Sequence, residues 1–379
     1  MNRGFWNGKS IFLTGHTGFK GGWLSLCLQR LGASISGYAL EPAGDICLYE
    51  KARIGEGIRS TLGDVRDGES LRRAMEESQP EIAFHLAAQP LVRASYNDPA
   101  ATYAVNVMGT VNFLEAVRRT PSVRVAIVVT SDKCYENREW WWGYREDEPM
   151  GGSDPYSSSK GCAELVTSAY RRSYFNDGRV AVASVRAGNV IGGGDWAADR
   201  LIPDLVRAFS AKAPLYLRFP HAVRPWQHVL EPLRGYLTLA ERLWHEGTAC
   251  AGGWNFGPRD DDAWTVLDVV RHAATLWGEG ASWRVDHEPH PHEARYLKLD
   301  CTLARSRLGW VPVLDLAKAL EWTVAWYHAH QDNHPDMRTF TTNQIERYEA
   351  LFTATALEML PPHELIIFES NSTHIRATS

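Results

Sequence analysis

A chain of 379 residues, 44% of them apolar, is long enough to bury a full core in one large or two intimately joined domains. Its 40 basic and 45 acidic residues are interspersed to a net charge of -5, which leaves no Lys or Arg run able to track phosphates and argues against nucleic acid as a partner. No apolar run approaches the roughly 18 residues of a membrane span, and the opening MNRGFWNGKS is too short and polar for a secretory leader, so a cytoplasmic protein without membrane attachment is expected.

In chain order, SIFLTG (10–15) reads as a strand, followed by a helix over about 19–31, the strand ASISGYAL and a third strand before Asp64. A helix near 68–77, the strand EIAFHLAA, a helix over about 98–119, the strand VRVAIVVTS, a helix over about 156–175 and the strand VAVASVRA complete this half. The alternation predicts an α/β fold: a Rossmann-like, doubly wound parallel sheet with its ligands at the carboxyl ends of the strands. Beyond it Gly, Pro and Trp become commoner, and helices are expected near 201–211, 230–245, 264–278 and 314–328. We therefore expect a first domain over 1–187, with segments near 230–263 returning to it, and a smaller interleaved substrate domain over 188–354. The tail over 355–379, ending SNSTHIRATS, should be loosely held.

The six cysteines are scattered singly, without C-x-x-C pairs, and read as reduced, mostly core thiols. In DHEPHPHE, His287, His290 and His292 crowd together, but two prolines break the segment and no spacing puts two imidazoles on one helical face. No metal is expected there.

Gly15, Gly18 and Gly21 in TGHTGFKG follow the first strand and open the first helix. Glycines at such a turn let the backbone approach a pyrophosphate, whose charge then faces the helix N-terminus. The motif opens the first βα unit, as dinucleotide binding requires. The second strand ends on Ala39 and Leu40, with Glu41 just beyond and no Arg immediately after, so NAD is favoured over NADP. Asp64 in LGDVRD is either an adenine partner or a cap or turn residue.

Tyr156 and Lys160 in DPYSSSK stand one helical turn apart and project from one face. A phenol titrates near pH ~10, and a buried ammonium beside it favours the phenolate, which makes Tyr156 a candidate general base. Just upstream, the apolar run of VVTSDKCYEN ends on Ser131 and then presents Asp132 and Lys133 side by side.

TGHTGFKG, HLAAQ, the strand ending in a hydroxyl residue, and Y-x-x-x-K occur in an order that resembles the extended short-chain dehydrogenase/reductase superfamily. Within it, GHTGFKGGWL, SDKCYENREW, WGYREDEPMGGSDPYSSSKGCAEL, GNVIGGGDWAADRLIPD and RPWQHVLEPL are similar to the sugar-nucleotide 4,6-dehydratases of the CDP-glucose type. The likeness extends to about residue 354. Dehydratases of the dTDP-glucose and GDP-mannose type carry a Glu where this chain has Lys133.

The resemblance implies NAD as cofactor, CDP-glucose as substrate, and Ser131, Tyr156 and Lys160 as the redox set. It implies cofactor contacts from Gly15, Gly18, Phe19, Lys20, Gly21, Asp64, Val65, Leu86, Ala87 and Ala88, joined by Tyr156 and Lys160. The implied reaction oxidises C4, eliminates water across C5 and C6, and reduces C6. Asp132 is then the expected acid toward the 6-hydroxyl, which needs a carboxyl kept protonated by burial. Lys133 is the expected C5 base, which needs an ammonium made acidic by desolvation and by Lys160; alternatively it stays charged and stabilises the enolate. Asn189, Arg200, Arg224 and Arg295 are candidate diphosphate contacts, and Trp226 and His228 candidates for the nucleotide end. Trp140–Trp142 either pack or wall the sugar pocket. Helices near 98–119 and 156–175 are expected to pair across a two-fold axis in a homodimer. A 4-epimerase or reductase on this fold would have no use for the Asp132–Lys133 pair, and a non-catalytic dinucleotide sensor would have no need of Tyr156 and Lys160.

Overall fold

The computed structural model describes residues 1–42, 44, 46–288 and 294–358. Seven strands form one all-parallel sheet: β1 (Ser10–Thr14), β2 (Ser34–Ala39), β3 (Arg59–Leu62), β4 (Ile82–His85), β5 (Val125–Val129), β6 (Ala181–Ala187) and β7 (Gly252–Phe256). Their order is β7-β6-β5-β4-β1-β2-β3. The direction of winding reverses between β1 and β4, so the turns leaving these two strands diverge and open a crevice at their carboxyl ends.

Strands β1, β4, β5 and β6 are buried on both faces because helices cover both, while the edge strand β3 is exposed. Ile11, Leu13, Phe84, Ile127 and Val185 point into the larger core, where α1 (Phe19–Arg30) and α7 (Leu230–Glu246) pack. Phe12, Ala83, Ala126, Val128 and Val182 alternate with them and meet α2 (Gly68–Ser78) and α4 (Gly109–Arg119) on the other side. β7, drawn from late in the chain, extends the sheet beyond β6.

The helix expected over 98–119 is built in three pieces: α3 (Pro99–Tyr103), a π-turn at Ala104–Met108, and α4. The π-turn seats Asn106 inward, where its amide donates to the Gln89 carbonyl (3.0 Å) and the Ser159 hydroxyl (2.9 Å). Such wide turns reposition a side chain that a regular helix would aim elsewhere. α5 (Pro155–Ser173) follows, with Asp154 capping it through the Ser157 backbone N–H at 2.9 Å.

The remaining segments are α6 (Leu201–Ser210), α8 (Val266–Trp277), α9 (Leu316–Gln331), and the strand pairs Leu215–Leu217 with Trp283–Val285 and Val190–Ile191 with Gln227–His228; of these, α6, Leu215–Leu217, Val190–Ile191 and the first residue of α8 border the crevice. A helix the sequence reading did not foresee, α10 (Met337–Glu358), follows α9. Its threonines blur the apolar stripe, yet Thr341 is fully buried, returning its hydroxyl to the Met337 carbonyl, and Ile345 and Tyr348 are buried beside it. The end of the expected loose tail, and His290 and His292 of the histidine cluster, lie outside the described residues. Among the described residues no group of His, Cys, Asp and Glu has metal-binding geometry, and no helix is long and apolar enough to cross a membrane.

Candidate active site

A cavity of about 940 Å³ runs from the turn after β1 to the cap. Gly15 opens that turn at φ +78°, a conformation that L side chains avoid, and a Cβ there would stand 2.7 Å from the Ala87 nitrogen. A Cβ on Gly21 would lie 2.1 Å from the Gly15 carbonyl oxygen. Gly18 is the N-cap of α1 and donates its N–H to the Gly15 carbonyl. Backbone thus approaches backbone closely beneath a helix N-terminus, a cradle suited to a pyrophosphate. The Thr14 hydroxyl accepts from the Leu86 and Ala87 backbone N–H groups (3.1 and 3.2 Å), tying the β4 turn to the β1 turn. Phe19, Lys20, Val65, Leu86, Ala87 and Ala88 all line the cavity.

Asp64 lines the cavity too, and its carboxylate is engaged locally: Oδ1 accepts from the Arg66 backbone N–H (2.9 Å) and Oδ2 from the Arg66 guanidinium (2.8 Å from Nε). The Arg66 contact holds this carboxyl below its usual range. Burial lowers the Lys20 ammonium to about 7, with repulsion from Arg200 and Lys160 adding to the effect and Asp132 opposing it.

The second group of residues stands where β5 ends. Ser131, Asp132, Lys133, Tyr156 and Lys160 share one wall of the cavity. Ser131 donates its hydroxyl to Asp132 Oδ1 (2.9 Å), to which Lys133 Nζ also donates (3.2 Å). Lys133 Nζ reaches Asn189 Oδ1 as well, at 3.3 Å. Asp132 is 1% exposed, and its Oδ2 has no hydrogen-bond partner among the described residues. Tyr156 and Lys160 lie on one face of α5, as their spacing requires, and Lys160 Nζ donates to the Val129 carbonyl at 3.4 Å.

Burial raises the Tyr156 phenol above its ordinary value, while the Lys133 charge and the Ser131 hydroxyl act to lower it. The cation acting on Tyr156 is therefore Lys133 foremost, a difference from the expectation that placed Lys160 in this part. Burial lowers Lys160 to about 8, against the opposing pull of Glu164.

Of the expected substrate contacts, Asn189, Arg200, Arg224 and Trp226 line the cavity. Arg200 is held by Asp195, whose Oδ2 accepts at 2.9 Å. Two expected contacts do not reach it. His228 is fully buried, its ring edge-on between Trp23 and Trp322 and its Nδ1 accepting from the Leu230 backbone N–H, so it serves the start of α7. Arg295 is exposed outside the cavity, where its backbone N–H donates to Glu139 and its carbonyl accepts from Val223. Of the tryptophan run, Trp140 stacks on Tyr144, and Trp141 and Trp142 are 79% and 70% exposed away from the cavity.

Residues the sequence reading passed over complete the walls. Arg93 and Arg218 both pair with Asp199 Oδ1, each at 3.4 Å, and all three line the cavity. Glu164 lies behind Lys160, four residues on in SKGCAE, a spacing that put an acid on the buried face of the same helix.

A parallel sheet of this order, a glycine turn under a helix N-terminus, and a Tyr-Lys pair beside a strand-end serine together define an extended short-chain dehydrogenase/reductase. Residues 12–323 match the model of the family described as GDP-mannose 4,6 dehydratase, and the chain belongs to that family. A CDP-glucose 4,6-dehydratase of Salmonella typhimurium is 56% identical over 334 residues, covering 87% of this chain and 93% of its own. A dTDP-glucose 4,6-dehydratase of Streptomyces griseus is 30% identical over 280 residues, covering 72% and 78%. The fold is shared with the crystal structure of a Stenotrophomonas maltophila UDP-glucose-4-epimerase with bound NAD and formylated UDP-arabinopyranose. That match has a TM-score of 0.76 at 19% identity, over 86% of this chain and 99% of the other.

Proposed function

We propose that this chain is a hydro-lyase that converts CDP-glucose to CDP-4-keto-6-deoxyglucose and water, supplying a precursor for deoxysugar synthesis. The observation that carries the reading is the Asp132–Lys133 pair beside Tyr156 at one wall of the cavity, together with 56% identity to the Salmonella typhimurium CDP-glucose 4,6-dehydratase. A 4-epimerase needs the Ser-Tyr-Lys set alone. A sensor needs neither.

NAD fits the cradle formed by Gly15, Gly18 and Gly21, with Phe19, Lys20, Val65 and the Leu86–Ala88 segment along its path. When bound, it supplies the acceptor and later the donor of hydride. The chain handles the protons. Tyr156 takes the proton of the sugar 4-hydroxyl as C4 is oxidised, with Ser131 hydrogen-bonded to the same oxygen and Lys160 holding positive charge behind the phenolate. The resulting 4-ketone acidifies C5–H. Lys133 first passes a proton to Asp132, 3.2 Å from its nitrogen; as the amine it then removes the C5 proton, while Asp132, now the carboxylic acid, protonates the departing 6-hydroxyl so that water leaves. After reduction at C6, Lys133 returns a proton to C5, and the proton held by Tyr156 passes to the Asp132–Lys133 pair, which restores all three groups. Asp132 and Asn189 place two acceptors on the Lys133 ammonium, which orients it and takes up the charge it gains.

Arg200 and Arg224 are the cations for the diphosphate, and Trp226 shapes the nucleotide end of the cavity. The enzyme works in the cytoplasm as a homodimer. The helices expected to pair leave large apolar side chains uncovered, Met108 at 51% and Leu165 at 60% exposure, as a four-helix contact with a second copy needs.

The test is incubation of the purified protein with CDP-glucose, dTDP-glucose and GDP-mannose, following the absorbance of the 4-keto product. Turnover of CDP-glucose is expected. Turnover of dTDP-glucose alone would overturn the substrate assignment and leave the chemistry standing.

A further inference from the structure

Behind the wall that carries Ser131, Asp132 and Lys133 lies a buried carboxylate that none of these steps uses. Glu164 is 4% exposed, one turn beyond Lys160 on α5. Its Oε1 accepts from the Thr130 hydroxyl, and its Oε2 accepts from the Ser184 hydroxyl (2.6 Å) and the Arg186 guanidinium (2.8 Å). Arg186 in turn donates through Nη1 to the Tyr135 hydroxyl (2.7 Å) and the Glu146 carbonyl (2.9 Å). The Tyr135 hydroxyl donates to Asn255 Oδ1 on β7 at 2.7 Å. Thr130 and Tyr135 bracket the Ser131–Cys134 turn, so one network grips both its ends from α5, β6 and β7.

A buried ion pair is a weak means of stabilising a fold, because well-packed apolar side chains of similar volume often do as well or better. The placement of this one is more telling. The groups acting on the Lys160 ammonium are Glu164 from its own helix, Cys134 from the turn, His85 from β4 and Lys20 from α1, with Tyr156 one turn before it on the same helix. Burial leaves Cys134 and His85 neutral near pH 7, so Glu164 is the carboxylate of the set.

We propose that Glu164 is a positioning residue: it keeps the Lys160 ammonium charged and, through Thr130 and the Arg186–Tyr135 link, holds the turn that presents Ser131 and Lys133 to Tyr156. The inference rests on the reading of Tyr156 and Lys160 as the redox pair. Arg186 is the counter-ion that lets Glu164 stay ionised in the core, where its carboxyl is held below its ordinary value despite burial.

The experiment is the pH dependence of C4 oxidation, read as enzyme-bound reduced nicotinamide in a single turnover of CDP-glucose. It compares the wild type with E164Q, E164Q/R186Q and T130V. Removing the carboxylate charge is expected to move the alkaline limb, where Lys160 loses its proton, down by about one pH unit in both Glu164 variants. T130V breaks one tether without changing the charge, so it is expected to slow oxidation and leave the limb in place. The double variant removes both charges together and so avoids an uncompensated guanidinium if E164Q alone does not fold. A wild type that forms reduced cofactor, with folded Glu164 variants that keep the wild-type limb, overturns the inference. A wild type that forms none overturns the reading of the site itself.

Discussion

Lys133 shows how much one side chain decides in this site. It is the principal cation acting on Tyr156 and it shares Asp132 Oδ1 with Ser131, and in the proposed reaction it takes the C5 proton once its own has passed to Asp132. Lys133→Met keeps the stem and removes the nitrogen. We predict that C4 oxidation persists, more slowly without that cation near Tyr156, and reduced cofactor accumulates on the enzyme, while solvent deuterium no longer enters C5 and product formation falls by roughly 10²–10⁴-fold. Product formed at the wild-type rate would contradict the assignment. The Tyr156–Lys160 pair was legible because a spacing of four fixes a shared helical face whatever surrounds it. His228 and Arg295 lie outside the cavity: Arg295 is exposed, and His228 ends the Gln227–His228 strand, where the packing of distant neighbours decides direction. For His228 those neighbours are Trp23 and Trp322, which no local pattern could supply.

At the scale of elements, α5 carries both Tyr156 and Lys160, so its N-terminus sets their position. Asp154 caps it, accepting from the Ser157 backbone N–H and from the Ser157 hydroxyl (2.5 Å). Asp154→Ala is predicted to cost about 1 kcal/mol of stability, seen in denaturant unfolding, and to lower turnover more than substrate affinity, because Tyr156 lies in the first turn. The β1–α1 turn makes a different demand. Gly21→Ala would push a methyl group against the Gly15 carbonyl, so the turn must open. The expected outcome is weaker NAD binding, measured by titration of cofactor fluorescence, together with a lower melting temperature. Strands β1, β2, β4, β5 and β6 and these two helices were readable from apolar periodicity, whereas β3 is exposed along its length and β7, GGWNF, is too short and glycine-rich to declare itself. The π-turn and α10 were not, since Asn106 is held by residues from other elements and the threonines of α10 dilute its stripe.

At the scale of the whole molecule, three histidines among the described residues are buried uncharged: His16, lowered by burial to about 4, and His85 and His228, lowered to about 3. Each takes up a proton near pH ~6.5 once the chain unfolds. The unfolded state therefore binds more protons than the folded one between these values, and stability rises with pH across that window. Their contribution is fully present above about pH 6.5 and is lost as pH falls toward 3–4, at roughly 1–2 kcal/mol for each histidine by pH 5. Denaturant midpoints at pH 7 and pH 5 check the sign. Assembly gives a second prediction at this scale. Leu165→Glu, at a residue 60% exposed in one chain, is expected to halve the mass seen by light scattering and leave the monomer folded.

The link between Tyr135 and Asn255 spans 120 residues of chain. As the polypeptide leaves the ribosome, β1 to β6 emerge well before β7, so β6 waits as an open edge and the turn that carries Ser131 to Lys133 lacks its far anchor. A nascent or truncated chain ending short of Gly252 would thus hold the glycine cradle and the Tyr-Lys helix while its chemistry stayed unassembled. Competence arrives with one late strand, which ties completion of the sheet to completion of the site.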